Sequence, residues 1–166
     1  MLALDLATRL GFAHGDPGAR PVSGSVRIEG AAGGFFLNYQ RWLGGALDRL
    51  QPEIIVQEAP ILTGKHTSLG TAERLMGMAC ITVMECARRN IPRIARVQPS
   101  QVKKFLVDNG AAKKQAMIDR CRQLGFEPAD DNEADAIAVF LWAEATFFRD
   151  KIARSAGPLF FGGAAA

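Results

Sequence analysis

The sequence predicts an α/β domain whose sheet carries a hairpin-like edge and is otherwise joined by parallel crossovers. Three observations lead there. Residues 1–28 read as strands and turns. Two helical stretches, 35–50 and 71–89, are each followed by a short strand. Helices then fill the chain to residue 149.

The first strand, MLALDLA, is apolar except for Asp5. Gly15, Pro17 and Gly18 turn the chain, and VSGSVRI alternates as a half-buried strand does. Residues 30–34 (GAAGG) form a loop. Over 35–50, Phe36, Tyr39, Leu43, Leu47 and Leu50 recur at steps of three and four, an amphipathic helix closed by Pro52. IIVQEA follows as a β-branched strand of the buried kind. Residues 60–70 (PILTGKHTSLG) make a loop before the long helix 71–89. That helix carries Leu75, Met76, Met78, Ala79, Ile81, Val83 and Met84, more than one stripe requires, so it is either deeply buried or shared with a partner. A strand near 93–97 comes next. Pro99 and Ser100 open a brief helix with a C-cap signal at Asn109-Gly110, and another helix spans 113–124, stopping at Gly125. Asp130 and Glu133 have capping-box spacing for a last helix over 131–149. Residues 1–153 thus read as one domain and 154–166 as a mobile, low-complexity tail.

Composition narrows the class. With 166 residues, one domain buries an adequate core. A hydrophobic content of 48% and a net charge of +3 exclude disorder for most of the chain. No apolar run reaches the roughly 18 residues of a membrane span. The start, MLALDLATRL, lacks signal-peptide features, so a cytoplasmic location is expected. Cys80, Cys86 and Cys121 form no CxxC pair and read as small apolar core residues, neither a disulfide framework nor a zinc site. The pI near 9.0 hints at an anionic partner.

Three carboxylates stand where apolar residues are expected: Asp5 within the first strand, Glu58 at the end of IIVQE, and Asp135 between Ala134 and Ala136. A buried acid without a cation is costly. The carboxyl ends of parallel strands are also where α/β proteins place ligands. Asn132 and Asp131, three and four residues before Asp135, share its helix face. Clustered oxygen donors of this kind suit Mg²⁺ or Mn²⁺, and paired ions clamp the attacking and leaving oxygens in phosphodiester hydrolysis.

Five segments, in order, resemble the RuvC-type Holliday junction resolvases of the ribonuclease-H-like superfamily. Asp5-Leu6-Ala7-Thr8 with Gly11 is similar to the family's opening motif, and Val56-Gln57-Glu58 to its central strand ending in glutamate. Gln101-Val102-Lys103 and Ala112-Lys113-Lys114-Gln115 resemble its two basic segments. Asn132-Glu133-Ala134-Asp135-Ala136 resembles its closing acidic motif. The resemblance covers most of residues 1–150. It implies a ribonuclease-H-like fold with a five-stranded mixed sheet flanked by helices. It further implies a homodimer through helix 71–89 and Mg²⁺-dependent cutting of four-way DNA junctions, with two ions per active site. An isologous dimer suits a junction of near two-fold symmetry, which needs two symmetric cuts.

The implied ligands are Asp5, Glu58 and Asp135, completed by Asn132 or Asp131. Asn132 stands where the family commonly has aspartate or histidine, and it brings no charge. In the loop after Glu58, Ile61 stands where the family often has an aromatic wedge, and Lys65 and His66 follow. With Arg9, Lys103, Lys104, Lys113 and Lys114, these are the candidate DNA contacts, which would supply salt-dependent affinity without base specificity. The resemblance brings Lys103 near the DNA and Lys113 close to the active centre, where it would stabilise charge on the phosphate. His66 reads as a contact and His14 as structural. The competing readings are another ribonuclease-H-like nuclease acting on RNA or replication intermediates, and a junction-binding protein weakened by Asn132. An actin-like ATPase would need a second such domain, for which this chain has no room.

Overall fold

A computed structural model describes residues 1–60 and 68–149 of the chain. The expected loop contacts Ile61, Lys65 and His66, and the tail over 154–166, lie outside the described residues. The elements follow the predicted order: β1 Leu2–Asp5, β2 Arg9–His14, β3 Val22–Arg27, α1 Ala32–Leu50, β4 Ile54–Glu58, α2 Leu69–Arg88, β5 Arg93–Val97, α3 Pro99–Val107, α4 Lys114–Gln123 and α5 Asp131–Phe147.

The strands form one mixed sheet of order β3-β2-β1-β4-β5, the five-stranded α/β arrangement expected from the sequence. β1–β2 and β2–β3 are antiparallel pairs, while β1–β4 and β4–β5 are parallel pairs reached through helical crossovers. Alternation divides the core. Ala3, Ala13, Ile54, Val56 and Val97 point to one face with Ala134, Ile137, Phe140 and Ala143 of α5, and Leu2, Leu4, Leu10 and Ile55 point to the other with Tyr39, Leu43 and Met78 of α1 and α2.

Small residues set the helix-to-sheet distance. Ala3 and Ala13 on the strands meet an alanine-rich α5, so its backbone lies close to β1 and β2. On the opposite face, Gly77 of α2 lies under the Phe36 ring so tightly that a β-carbon there would stand 2.2 Å from it. Tyr39 of α1 donates to the Thr82 hydroxyl of α2 at 2.7 Å, and Thr82 donates in turn to the Met78 carbonyl at 2.9 Å. The buried Glu85 carboxylate accepts from Gln40 at 2.7 Å and from Arg88 and Arg89, and Arg89 also donates to Asp48 at 2.7 Å. These bonds satisfy the polar groups that two packed helices bury.

Three local expectations are corrected. The first helix after β5 ends at Val107, because Asp108 takes the left-handed conformation (φ 55°) ahead of the Asn109-Gly110 signal. Aspartate tolerates that region better than most side chains. Cys86 and Cys121 are buried as expected, but Cys80 is exposed, six positions from Cys86 and on another face of α2. That helix also begins earlier than the periodicity suggests, because the Ser68 hydroxyl caps it by accepting from the Thr71 N–H at 3.1 Å. Its Leu69, Met76, Val83 and Met84 are exposed, an apolar face that none of the described residues covers.

Candidate active site

Strand parity brings the acids together. Ala3 and Val56 are register partners on parallel strands and both face α5. Two residues further on, Asp5 and Glu58 return to that same face at the same sheet edge. The site is completed by α5, which crosses this edge with its first turns and contributes Asp135, Asn132 and Asp131.

The start of α5 is held where the capping-box spacing puts it. Asp130 accepts from the Glu133 N–H at 2.9 Å, as an N-cap does. Glu133 does not reach back to the cap's own N–H. One of its oxygens accepts from the Ala129 N–H at 2.9 Å and the other from the Ser23 hydroxyl on β3 at 2.7 Å. Asp130 in turn accepts from Ser25 at 2.5 Å and lies 3.6 Å from Arg9. Ser23 and Ser25 are absent from any reading of the sequence alone, because a serine in an alternating strand looks the same whether it faces water or a carboxylate.

Electrostatics mark the acids as a strained group. Burial, then the charges of Glu58 and Asp135, hold the Asp5 carboxyl well above its ordinary range. Burial and the neighbouring Asp135 push Glu58 up to about 8, against the pull of Lys103. Asp135 is raised to about 6 by burial, with Lys103 and Lys114 opposing. Asp131 differs: its hydrogen bond from Lys114 lowers its pKa, and the two form an ion pair at the rim. Of the two adjacent lysines, Lys114 is the one whose charge reaches Asp5 and Asp135, whereas Lys113 is the exposed N-cap residue of α4. Lys103 is half-buried and Lys104 exposed on α3.

Among the described residues, no three His, Cys, Asp or Glu side chains close into a metal-holding group as they stand. The donor chemistry nevertheless fits a hard cation. The Asn132 amide lies 3.3 Å from Asp5 Oδ2 and 3.1 Å from the Arg9 backbone oxygen, and with its nitrogen turned to them it donates to both. With its oxygen turned the same way, the amide would add a further oxygen donor for such a cation. The mutual repulsion of Asp5, Glu58 and Asp135 has the same remedy. A small cavity of about 130 Å³ adjoins Glu58, lined also by Leu6, Ala59, Pro60, Leu75 and Pro99.

No protein-family model and no curated protein matches the sequence. Solved structures do. Thermus thermophilus RuvC superposes with a TM-score of 0.63 at 19% identity, covering 91% of this chain and 96% of that one. T. thermophilus RuvC in complex with Holliday junction substrate superposes with a TM-score of 0.68 at 18% identity, covering 91% and 95%. The yeast mitochondrial Holliday junction resolvase Ydc2 gives 0.57 at 12% identity, covering 93% and 83%. The resemblance read from five short segments therefore extends to the fold of nearly the whole chain.

Proposed function

We propose that the chain is a divalent-cation-dependent endonuclease that resolves four-way DNA junctions. The observation that carries this reading is the meeting of Asp5, Glu58 and Asp135 at one sheet edge, each raised in pKa by burial, with Asp5 also raised by Glu58 and Asp135, and Glu58 by Asp135. Likeness of fold to junction resolvases supports the substrate.

Asp5, Glu58 and Asp135 would hold Mg²⁺ or Mn²⁺, with Asn132 joining once its amide oxygen turns inward. Asp131 is committed to Lys114 and would join only if that pair opens. When bound, such ions supply a lowered water pKa and charge stabilisation at the attacking and leaving oxygens. The chain's own contribution is placement. Parallel β1 and β4 fix two carboxylates side by side, and α5 carries the third across the edge. Lys103 and Lys114 lie where a phosphate's developing charge can be offset. Arg9 is already balanced by Asp130, so it contributes less to DNA affinity than its position suggests. Lys104 and Lys113, both exposed, remain free to meet backbone phosphates. The exposed apolar face of α2 is the surface through which two copies would pair, presenting two sites to one junction.

A synthetic four-way junction, incubated with and without Mg²⁺, tests the reading. Paired symmetric nicks that need the metal are expected. Equal cutting of plain duplex would place the chain among other nucleases of this fold. Gel retardation of the junction with no nicks in Mg²⁺ or Mn²⁺ would make it a binding protein, the outcome that Asn132 donating to Asp5 favours.

A further inference from the structure

We infer that Glu133 and Ser23 are positioning residues whose hydrogen bond fixes the acidic turn of α5 for cation binding, an inference that rests on the cation-dependent reading of the site. Neither residue belongs to the donor set. Glu133 is 9% exposed, and both its carboxylate oxygens are spent on placement: one on the Ser23 hydroxyl at 2.7 Å, the other on the Ala129 N–H at 2.9 Å. A second tooth of the same clasp lies two residues along β3, where Ser25 donates to Asp130 at 2.5 Å. Two carboxylates at the start of α5 thus each bind one β3 serine and one backbone N–H of the helix start.

The clasp bears directly on the site. On α5, Glu133 lies two residues from both Asp131 and Asp135, so it points away from the face that meets Asp5. Pulling Glu133 toward β3 therefore rotates Asp135 and Asn132 toward β1. The same turn presses on β2, where the Asn132 carbonyl leaves no room for a β-carbon on Gly11. Gly11 is the register partner of Asp5. The clasp, the contact at Gly11 and the 3.3 Å approach of Asn132 to Asp5 form one connected path.

Geometry and charge separate cleanly by substitution. Glu133→Ala breaks both bonds of Glu133 and Ser23→Ala breaks one. Glu133→Gln preserves both, because a serine hydroxyl accepts as readily as it donates, and Ser23→Thr keeps the hydroxyl. Mn²⁺ binding to each full-length protein, followed by calorimetry, and amide exchange over residues 131–136 in the metal-free state are the readouts. Removing a group that orients ligands costs roughly 10–100-fold in metal affinity. That loss is expected for Ser23→Ala and Glu133→Ala, with faster exchange across the turn. Glu133→Gln and Ser23→Thr should stay within about threefold of wild type, well inside that range. Unchanged Mn²⁺ affinity in Ser23→Ala, whatever happens to its melting temperature, overturns the inference. So does a Glu133→Gln variant as weak as Glu133→Ala, since charge would then be the operative property. Wild-type protein that binds no Mn²⁺ overturns it along with the cation reading. Wild-type protein that binds Mn²⁺ with the expected dependence on the clasp yet leaves junctions intact upholds the inference and sinks the resolvase assignment alone.

Discussion

Gly11 lies so close beneath Asn132 that a β-carbon on it would stand 1.9 Å from the Asn132 carbonyl oxygen. The contact joins β2 to the first turn of α5 at the register partner of Asp5. Since that oxygen is backbone, no side-chain movement relieves the overlap.

Gly11→Ala is therefore expected to push α5 off the sheet. Overpacking costs about 1–3 kcal/mol, visible as a lower melting temperature. A displacement of about 1 Å at reacting groups can cost 100-fold, so cutting should fall further than stability. Equal activity in the alanine variant would show that the site tolerates the shift.

Asp5→Asn should abolish cutting while junction binding survives. It should also stabilise the metal-free protein near neutral pH, because it removes the most deeply buried of three carboxyls that repel one another. Junction nicking, gel retardation and denaturant unfolding without added metal check the three parts. An Asp5→Asn protein that still cuts would sink the proposed site.

Stability should fall as pH rises in the metal-free protein. Glu58 titrates near 8 rather than 4.5 and Asp135 near 6 rather than 3.8. Between those limits the folded state holds protons that the unfolded state has released, so each rise in pH favours unfolding. Added Mg²⁺ should flatten the slope by stabilising the ionised carboxylates, and cutting should increase through the same window. Melting temperatures between about pH 5 and about pH 8.5, with and without Mg²⁺, decide it. A metal-free protein that gains stability across this range would contradict the burial of these groups.

Gln57 sits on β4 beside Glu58, fully buried, with neither its amide oxygen nor its nitrogen hydrogen-bonded among the described residues. A buried unsatisfied polar group costs about 1–3 kcal/mol. Gln57→Met, similar in volume, should therefore raise stability by about that amount, read by denaturant unfolding. A destabilised variant would indicate a partner for the amide, such as a buried water.

Much of the architecture was legible because alternation and helical spacing are local signals. β1, β4 and α5 could be read from MLALD, IIVQE and the run after Asp130, and so could the oddity of acids within them. That the charge of Lys114 reaches Asp5 and Asp135 was not legible, since it depends on where α4 begins and how it packs against α5. Nor was the commitment of Asp131 to Lys114, or the role of Ser23 and Ser25. Each is a contact between elements far apart in the chain.

The sequence by itself determined which elements form and which carboxylates are out of place among apolar neighbours, because both follow from the pattern of polarity along a few residues. The tertiary structure alone decided how those carboxylates meet. Sheet order places β1 beside β4, the small residues of β1, β2 and α5 set the helix height, and the β3 serines fix the helix rotation. Those are distances across the fold, and the energy of a buried charge depends on distance and dielectric rather than on position in the chain.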